Sequence, residues 1–361
     1  MKMSKIKTWT NQDFEELELL SLQNFKQLRA NLINYFDQVT PEKWLDIAKS
    51  MNEVLESCDE IDYDRLELAE AYAIWHLLDR YHRFQIMQLK LLQMNRLNHW
   101  KSLPIRILDV GTGPAPTLFA FSDHYRNLNK LSMSELYKME SDYVEQSKGF
   151  RQFIHTLCEL SLDNHSYSVP FHFGTFTNFK SIVFDNEYYD YWHNKITKQT
   201  HRFNIAVFSN FLTTKETVER FTFEIEELTR AMRNYGLIII VGASNEKSEK
   251  YSELYLECDK IIVKKFNNRK FHGYWRKLVQ ETITYNYDDE YGEIMRQFYL
   301  HIKSKFLENN AWNLVPNKAQ KYLEKRIDNN TDKIKFDNWK GVTWVMSVYQ
   351  KRSWSSSFHK L

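Results

Sequence analysis

Arg106-Ile-Leu-Asp-Val-Gly-Thr-Gly-Pro-Ala-Pro-Thr117 is the stretch that decides the fold. The apolar run from Ile105 to Val110 carries Asp109 near its end and leads straight into a turn with Gly111 and Gly113. A helix-like segment, Thr117-Leu-Phe-Ala-Phe121, follows. The order reads as a strand, a glycine turn and a helix start. Without Cβ atoms in the turn, backbone N–H groups can approach a ligand closely. The spacing is Gly-x-Gly with no third glycine three residues on, so the dinucleotide fingerprint fits poorly.

About a hundred residues later a second block supports the first. Phe203-Asn-Ile-Ala-Val-Phe-Ser-Asn210 reads as a strand with a polar end. Lys215 to Arg233 reads as a helix, with Phe221, Ile225, Leu228 and Met232 at helical spacing. Asn234-Tyr235-Gly236 reads as a turn, and Leu237-Ile-Ile-Ile-Val241 as the next strand. Together the two blocks resemble the class I S-adenosylmethionine-dependent methyltransferases, whose first motif is an apolar strand ending in Asp or Glu, x, Gly, x, Gly. Tyr235-Gly236 stands where that family usually has Gly-Gly. The resemblance spans about Ile105 to Tyr349. It implies an α/β fold, Rossmann-like, with a mostly parallel seven-stranded methyltransferase sheet and helices on both faces.

The resemblance also implies a cofactor, S-adenosylmethionine, and a set of residues to hold it. Asp109, Gly111, Thr112 and Gly113 form the loop. An acid after the second strand should accept hydrogen bonds from both ribose hydroxyls, as a carboxylate can. Glu145 is the candidate, with Glu135 and Glu140 as rivals, and an insertion is expected around 127–138. Gly174-Thr175-Phe176 should end the third strand near the adenine, where the family often has Gly-Asp-Phe or Gly-Asp-Ala. The Thr175 hydroxyl can accept a bond and Phe176 can pack on a purine face. Ser209 and Asn210 end the fourth strand, where family members place acceptor-facing residues. Asn210 either orients the acceptor or caps the helix that follows.

Residues 1–100 read as an N-terminal all-helical cap domain, and 101–361 as the core with an insertion at about 245–290. Phe14, Leu17, Leu20 and Phe25 suggest one helix, and Thr40-Pro41 starts another. A long helix is expected from about Asp64 to Trp100, and Arg80-Tyr81-His82-Arg83 on it can close over the cofactor. The layout is loosely similar to that of the Rsm22-like methyltransferases, without their cysteine-rich cluster. The eight acids in 53–70 read as a solvated helix face. Glu293 to Asn309 is expected as a core helix, Ala311 to Val315 as strand six and Val342 to Tyr349 as strand seven. The acceptor pocket is expected between Asn210, the cap near Tyr81 and the insertion near Trp275.

Composition narrows the classes. The 43% hydrophobic content supports a sizeable core, and a net charge of +2 predicts no strong global pull toward nucleic acid. The basic and aromatic residues of 260–277 leave two readings, RNA contact or a solvated amphipathic helix. Cys58, Cys158 and Cys258 are scattered and show no metal spacing. No apolar run reaches the length of a membrane span, so a cytoplasmic protein without a membrane segment is expected. The sequence leaves open whether the acceptor is a small molecule, a peptide or RNA. It also leaves open whether the fold is an active enzyme or an inactive cofactor-binding or interaction module.

Overall fold

The computed structural model describes residues 9–57, 61–97, 104–132, 137–163, 173–176, 179, 203–243, 249–264, 274–285, 290–327 and 342–352. Three helices come first: α1 (Asn11–Asp37), α2 (Pro41–Ser57) and α3 (Leu66–Gln93). The α/β part follows with β1 (Pro104–Val110), α4 (Pro116–Ser132), β2 (Lys138–Val144), α5 (Lys148–Asp163), β3 (Phe173–Phe176) and β4 (Phe203–Ser209). Next come α6 (Lys215–Arg220), α7 (Thr222–Ala231), β5 (Met232–Ala243), α8 (Glu249–Asp259) and β6 (Tyr274–Tyr285). The chain closes with α9 (Glu290–Glu308), α10 (Asn317–Ile327) and β7 (Val342–Arg352).

The strands form one sheet in the order β3-β2-β1-β4-β5-β7-β6. Strands β1 to β5 pair in parallel, and β7 runs antiparallel between β5 and β6. The direction of winding reverses between β1 and β4. Open α/β sheets bind ligands in the crevice outside the carboxyl ends of the strands at such a point.

Strand β1 is apolar on both faces because helices cover both. Ile105 and Ile107 pack into a core shared with α3, α4 and α5. Leu108 and Val110 pack into a second core with α7 and α8. The period of two puts Asp109 on the first face. That face carries the helical layer. Phe36, Trp44, Phe298 and Phe306 meet there through aromatic contacts, with Trp44 and Phe306 5.0 Å apart. None of the helices among the described residues is long and apolar enough to cross a membrane.

Several expectations need correction. Ala311 to Val315 is no strand: Trp312–Leu314 is a single 3-10 turn, followed by α10. The sixth strand is β6, inside the segment read as an insertion. Trp275 and Ile283 are buried there, while Arg276 and Thr282 face out. The basic residues on the outer side imitate an amphipathic helix. Lys277 pairs with Asp259 at 2.7 Å and Lys260 with Glu257 at 2.6 Å, so part of the charge at 260–277 is satisfied within the fold. The helix at α9 forms as expected but packs on α1, α2 and α10. The helix expected over Lys215 to Arg233 breaks into α6 and α7 at Phe221. Asn234-Tyr235-Gly236 lies inside β5, in an irregularity where Tyr235 takes φ +64° and the pairing with β4 shifts register. The segment expected as an insertion at 127–138 begins as the last turns of α4.

Candidate functional site

The end of β1, the end of β2 and the end of β4 converge on a cavity of about 340 Å³. Gly111 and Gly113 border it from the loop after β1, Val144 and Glu145 from the end of β2, and Ser209 and Asn210 from the end of β4. The helical layer closes the opposite side with Tyr63, Tyr72 and Arg80.

The loop is tightly built. Gly111 has φ +70°, and a Cβ placed on it would lie 2.6 Å from the Phe211 ring. Its glycine is therefore needed twice, for a left-handed backbone and for room against Phe211. Gly111 and Thr112 donate their N–H groups to the Val144 carbonyl at 2.9 and 3.2 Å. Gly113 donates its N–H to Glu145 Oε2 at 2.9 Å. The sequence reading turned these N–H groups toward a ligand; the fold instead spends them on locking β1's loop to the end of β2.

Asp109 is fully buried under the loop, and the Thr112 hydroxyl donates to its Oδ2 at 2.5 Å. Burial lifts its carboxyl to about 7, helped by the nearby Glu145 charge and opposed by the Thr112 and Thr117 hydroxyls. Oδ1 has no hydrogen-bond partner. Glu145 is 7% exposed and sits one residue beyond β2. Its Oε1 accepts the Ser147 N–H at 3.0 Å. Burial pushes its pKa up, while the Ser147 and Gly113 hydrogen bonds pull it down. Each oxygen keeps a further lone pair for a ligand. Of the rivals, Glu140 lies on β2 and pairs with Arg106 at 2.8 Å; Glu135 lies outside the described residues.

At the end of β4, Ser209 is buried and Asn210 is partly exposed. Asn210 has φ +52° and donates its N–H to the Val241 carbonyl at 2.8 Å. It does not cap the next helix. Thr214 does, accepting the Thr217 N–H at 3.2 Å. The β3 residues Thr175 and Phe176 pair with Tyr143 and Val144, which puts their backbone beside the end of β2.

Two residues expected at the pocket lie elsewhere. Tyr81 is buried and donates its hydroxyl to Asp123 of α4 at 2.5 Å. The adjacent Arg80, turned by about 100° on the helix, is the one that reaches the cavity. Trp275 is buried on edge strand β6 and packs in the second core.

The reading of residue types missed the aromatic walls. Tyr63, Tyr72 and Phe150 form one, with the Tyr63 and Phe150 rings 4.6 Å apart. Phe179, Phe211 and Phe221 form the other. Tyr63 stands inside the acidic run taken for a solvated face. That run also places Asp64 to accept the Lys148 N–H at 2.8 Å, and Tyr63 to accept the Gly149 N–H through its carbonyl at 3.0 Å. A Cβ on Gly149 would lie 2.4 Å from that carbonyl oxygen. The Lys-Gly pair that opens α5 was the available signal. Further along, Glu70 is buried and accepts the Tyr35 hydroxyl at 2.7 Å.

No family model matches the chain, and no curated protein matches it. Among solved structures, it is similar to a Haemonchus contortus phosphoethanolamine N-methyltransferase in complex with phosphomonomethylethanolamine and S-adenosylhomocysteine. That match has 14% identity and a TM-score of 0.35, and covers 74% of this chain but only 53% of the other. A coclaurine N-methyltransferase bound to N-methylheliamine and S-adenosylhomocysteine is 10% identical, with a TM-score of 0.36 over 94% of this chain and 99% of that one. A Methanosarcina mazei SAM-dependent methyltransferase is 11% identical, with a TM-score of 0.34 over 73% and 97%. Similarity at this level decides neither ligand nor activity, which rest on the chain's own geometry.

Proposed function

We propose that this chain is an S-adenosylmethionine-dependent methyltransferase of the class I fold acting on a small molecule. The observation that carries the reading is the meeting of the glycine loop and Glu145 over the winding reversal, in a cavity of about 340 Å³. That volume lies in the usual range for small-ligand sites. Glu145 would take the ribose hydroxyls on its free lone pairs. Ser209 and Asn210 would face the reacting end, and Thr175 and Phe176 the base. Asp109 beneath the loop would hold Thr112 in place. The cofactor, when bound, would supply an electrophilic methyl group on a sulfonium. The protein's part is to orient the acceptor and keep water out, which is where much of the rate gain in such displacements lies. Residues 1–100 would act as the cap and 101–361 as the core of this unit.

Two measurements test the proposal. Calorimetry with S-adenosylhomocysteine should show binding to the wild type. A tritium-labelled methyl group should then pass to a small-molecule fraction of a cell extract. Absence of cofactor binding to the folded protein would overturn the proposal.

A further inference from the structure

Each aromatic wall of the cavity carries an arginine. The Arg80 guanidinium lies 4.9 Å from the centre of the Tyr72 ring, and that of Arg220 lies 5.3 Å from the centre of the Phe221 ring. Both arginines line the cavity. Neither has a carboxylate partner among the described residues. Nearby acids are taken: Asp79 pairs with Arg83 at 2.5 Å and Glu219 with Lys215 at 3.8 Å. The one carboxylate lining the cavity among the described residues, Glu145, already accepts two backbone N–H groups.

A guanidinium held over a ring keeps its planar N–H fork free for a carboxylate. Two of them, set against flat aromatic walls, select a flat anion. The geometry points to a planar carboxylic acid as the ligand beside the cofactor, held by Arg80 and Arg220 between the two walls. This rests on the methyltransferase reading and names its acceptor class. The chemistry agrees with the residues present. A carboxylate is already deprotonated at neutral pH, so it needs no general base. Its oxygen forms a bond to the methyl carbon as the carbon–sulfur bond breaks, the electron pair stays on sulfur, and no proton moves. A cationic amine would meet two positive charges and would first have to lose a proton.

The test uses the full chain loaded with S-adenosylhomocysteine and 2-naphthoate as probe, followed by its fluorescence. 2-Naphthamide is the neutral control and 2-naphthylmethylamine the cationic one. The naphthoate should bind at least tenfold more tightly than either. R80Q and R220Q should each weaken it about tenfold or more while melting like the wild type. Equal binding of the acid and the amide overturns the inference, as does unchanged naphthoate affinity in both variants. If R80Q instead loses S-adenosylhomocysteine and keeps naphthoate, the guanidinium serves the cofactor's own carboxylate, and the inference is also overturned. Failure of S-adenosylhomocysteine to bind the wild type is a different result. It removes the methyltransferase reading, while naphthoate binding that depends on Arg80 and Arg220 would still support the anion site.

Discussion

Replacing Asp109 with Asn should change how the stability of this protein depends on pH. The Asp109 carboxyl is fully buried, and burial lifts its pKa from 3.8 to about 7. The unfolded chain releases this proton near pH 3.8, whereas the folded chain keeps it until about pH 7. Across that window the folded state binds more protons than the unfolded state, so its stability falls as pH rises. The contribution is fully present below pH 3.8 and fully lost above 7. Each pH unit costs about 1.4 kcal/mol, so the loss reaches about 4 kcal/mol by pH 8. With an unfolding entropy scaled to a chain of this length, that is about 5 °C in melting temperature. D109N keeps the shape, keeps an oxygen for the Thr112 hydroxyl and does not titrate. Glu145 is also shifted upward and remains in both proteins, so the informative quantity is the difference between them. Calorimetric melts of wild type and D109N from pH 4 to 8 should diverge, with the wild type losing stability relative to the variant as pH rises. Parallel melting curves over this range would refute the assignment of a proton to Asp109.

Other perturbations separate the site from its scaffold. Gly111→Ala should destabilise the fold by more than the roughly 1–2 kcal/mol of a left-handed alanine, because its Cβ also meets Phe211 at 2.6 Å; a chemical melt unchanged from wild type would contradict this. Glu145→Ala should weaken S-adenosylhomocysteine by about 1.5–3 kcal/mol in calorimetry, whereas Glu140→Ala, which breaks a half-exposed pair with Arg106, should not; the reverse outcome would move the ribose contact to another residue. Gly149→Ala should loosen the segment carrying Tyr63, since the added Cβ meets two backbone carbonyl oxygens within 2.6 Å; hydrogen exchange at 61–66 should rise, and unchanged protection would count against it. Tyr81→Phe should cost about 1–3 kcal/mol of stability by removing one donor from buried Asp123, which keeps its pair with Arg126, and leave ligand affinity unchanged, which a melt and a titration together decide.

The strand, glycine turn and helix at 105–121 were legible because each signal is local. An apolar run sets the strand, a glycine permits the positive φ, and Thr117-Leu-Phe-Ala-Phe121 opens a helix whose first turns are buried on every side. The strands around Phe203 and Leu237 were legible for the same reason, and the helix phase at 225–232 survives the break at Phe221. β6 was not legible. Its Arg276 and Lys277 lie next to buried Trp275, and over a few residues an alternating strand face and a basic amphipathic helix look alike.

The sequence by itself determined the order of the strands from β1 to β5 and the chemistry offered by Asp109, the glycines and Glu145, since backbone propensity, periodicity and residue type act over a few positions. Only the tertiary structure decided which neighbours those groups meet. It joined α9 to the N-terminal helices, turned Arg80 to the cavity and Tyr81 to α4, and gave the loop N–H groups to Val144 and Glu145. It also set Phe211 against Gly111. These depend on side chains brought together from positions tens to hundreds of residues apart, where burial and packing choose the partner and local pattern has no say.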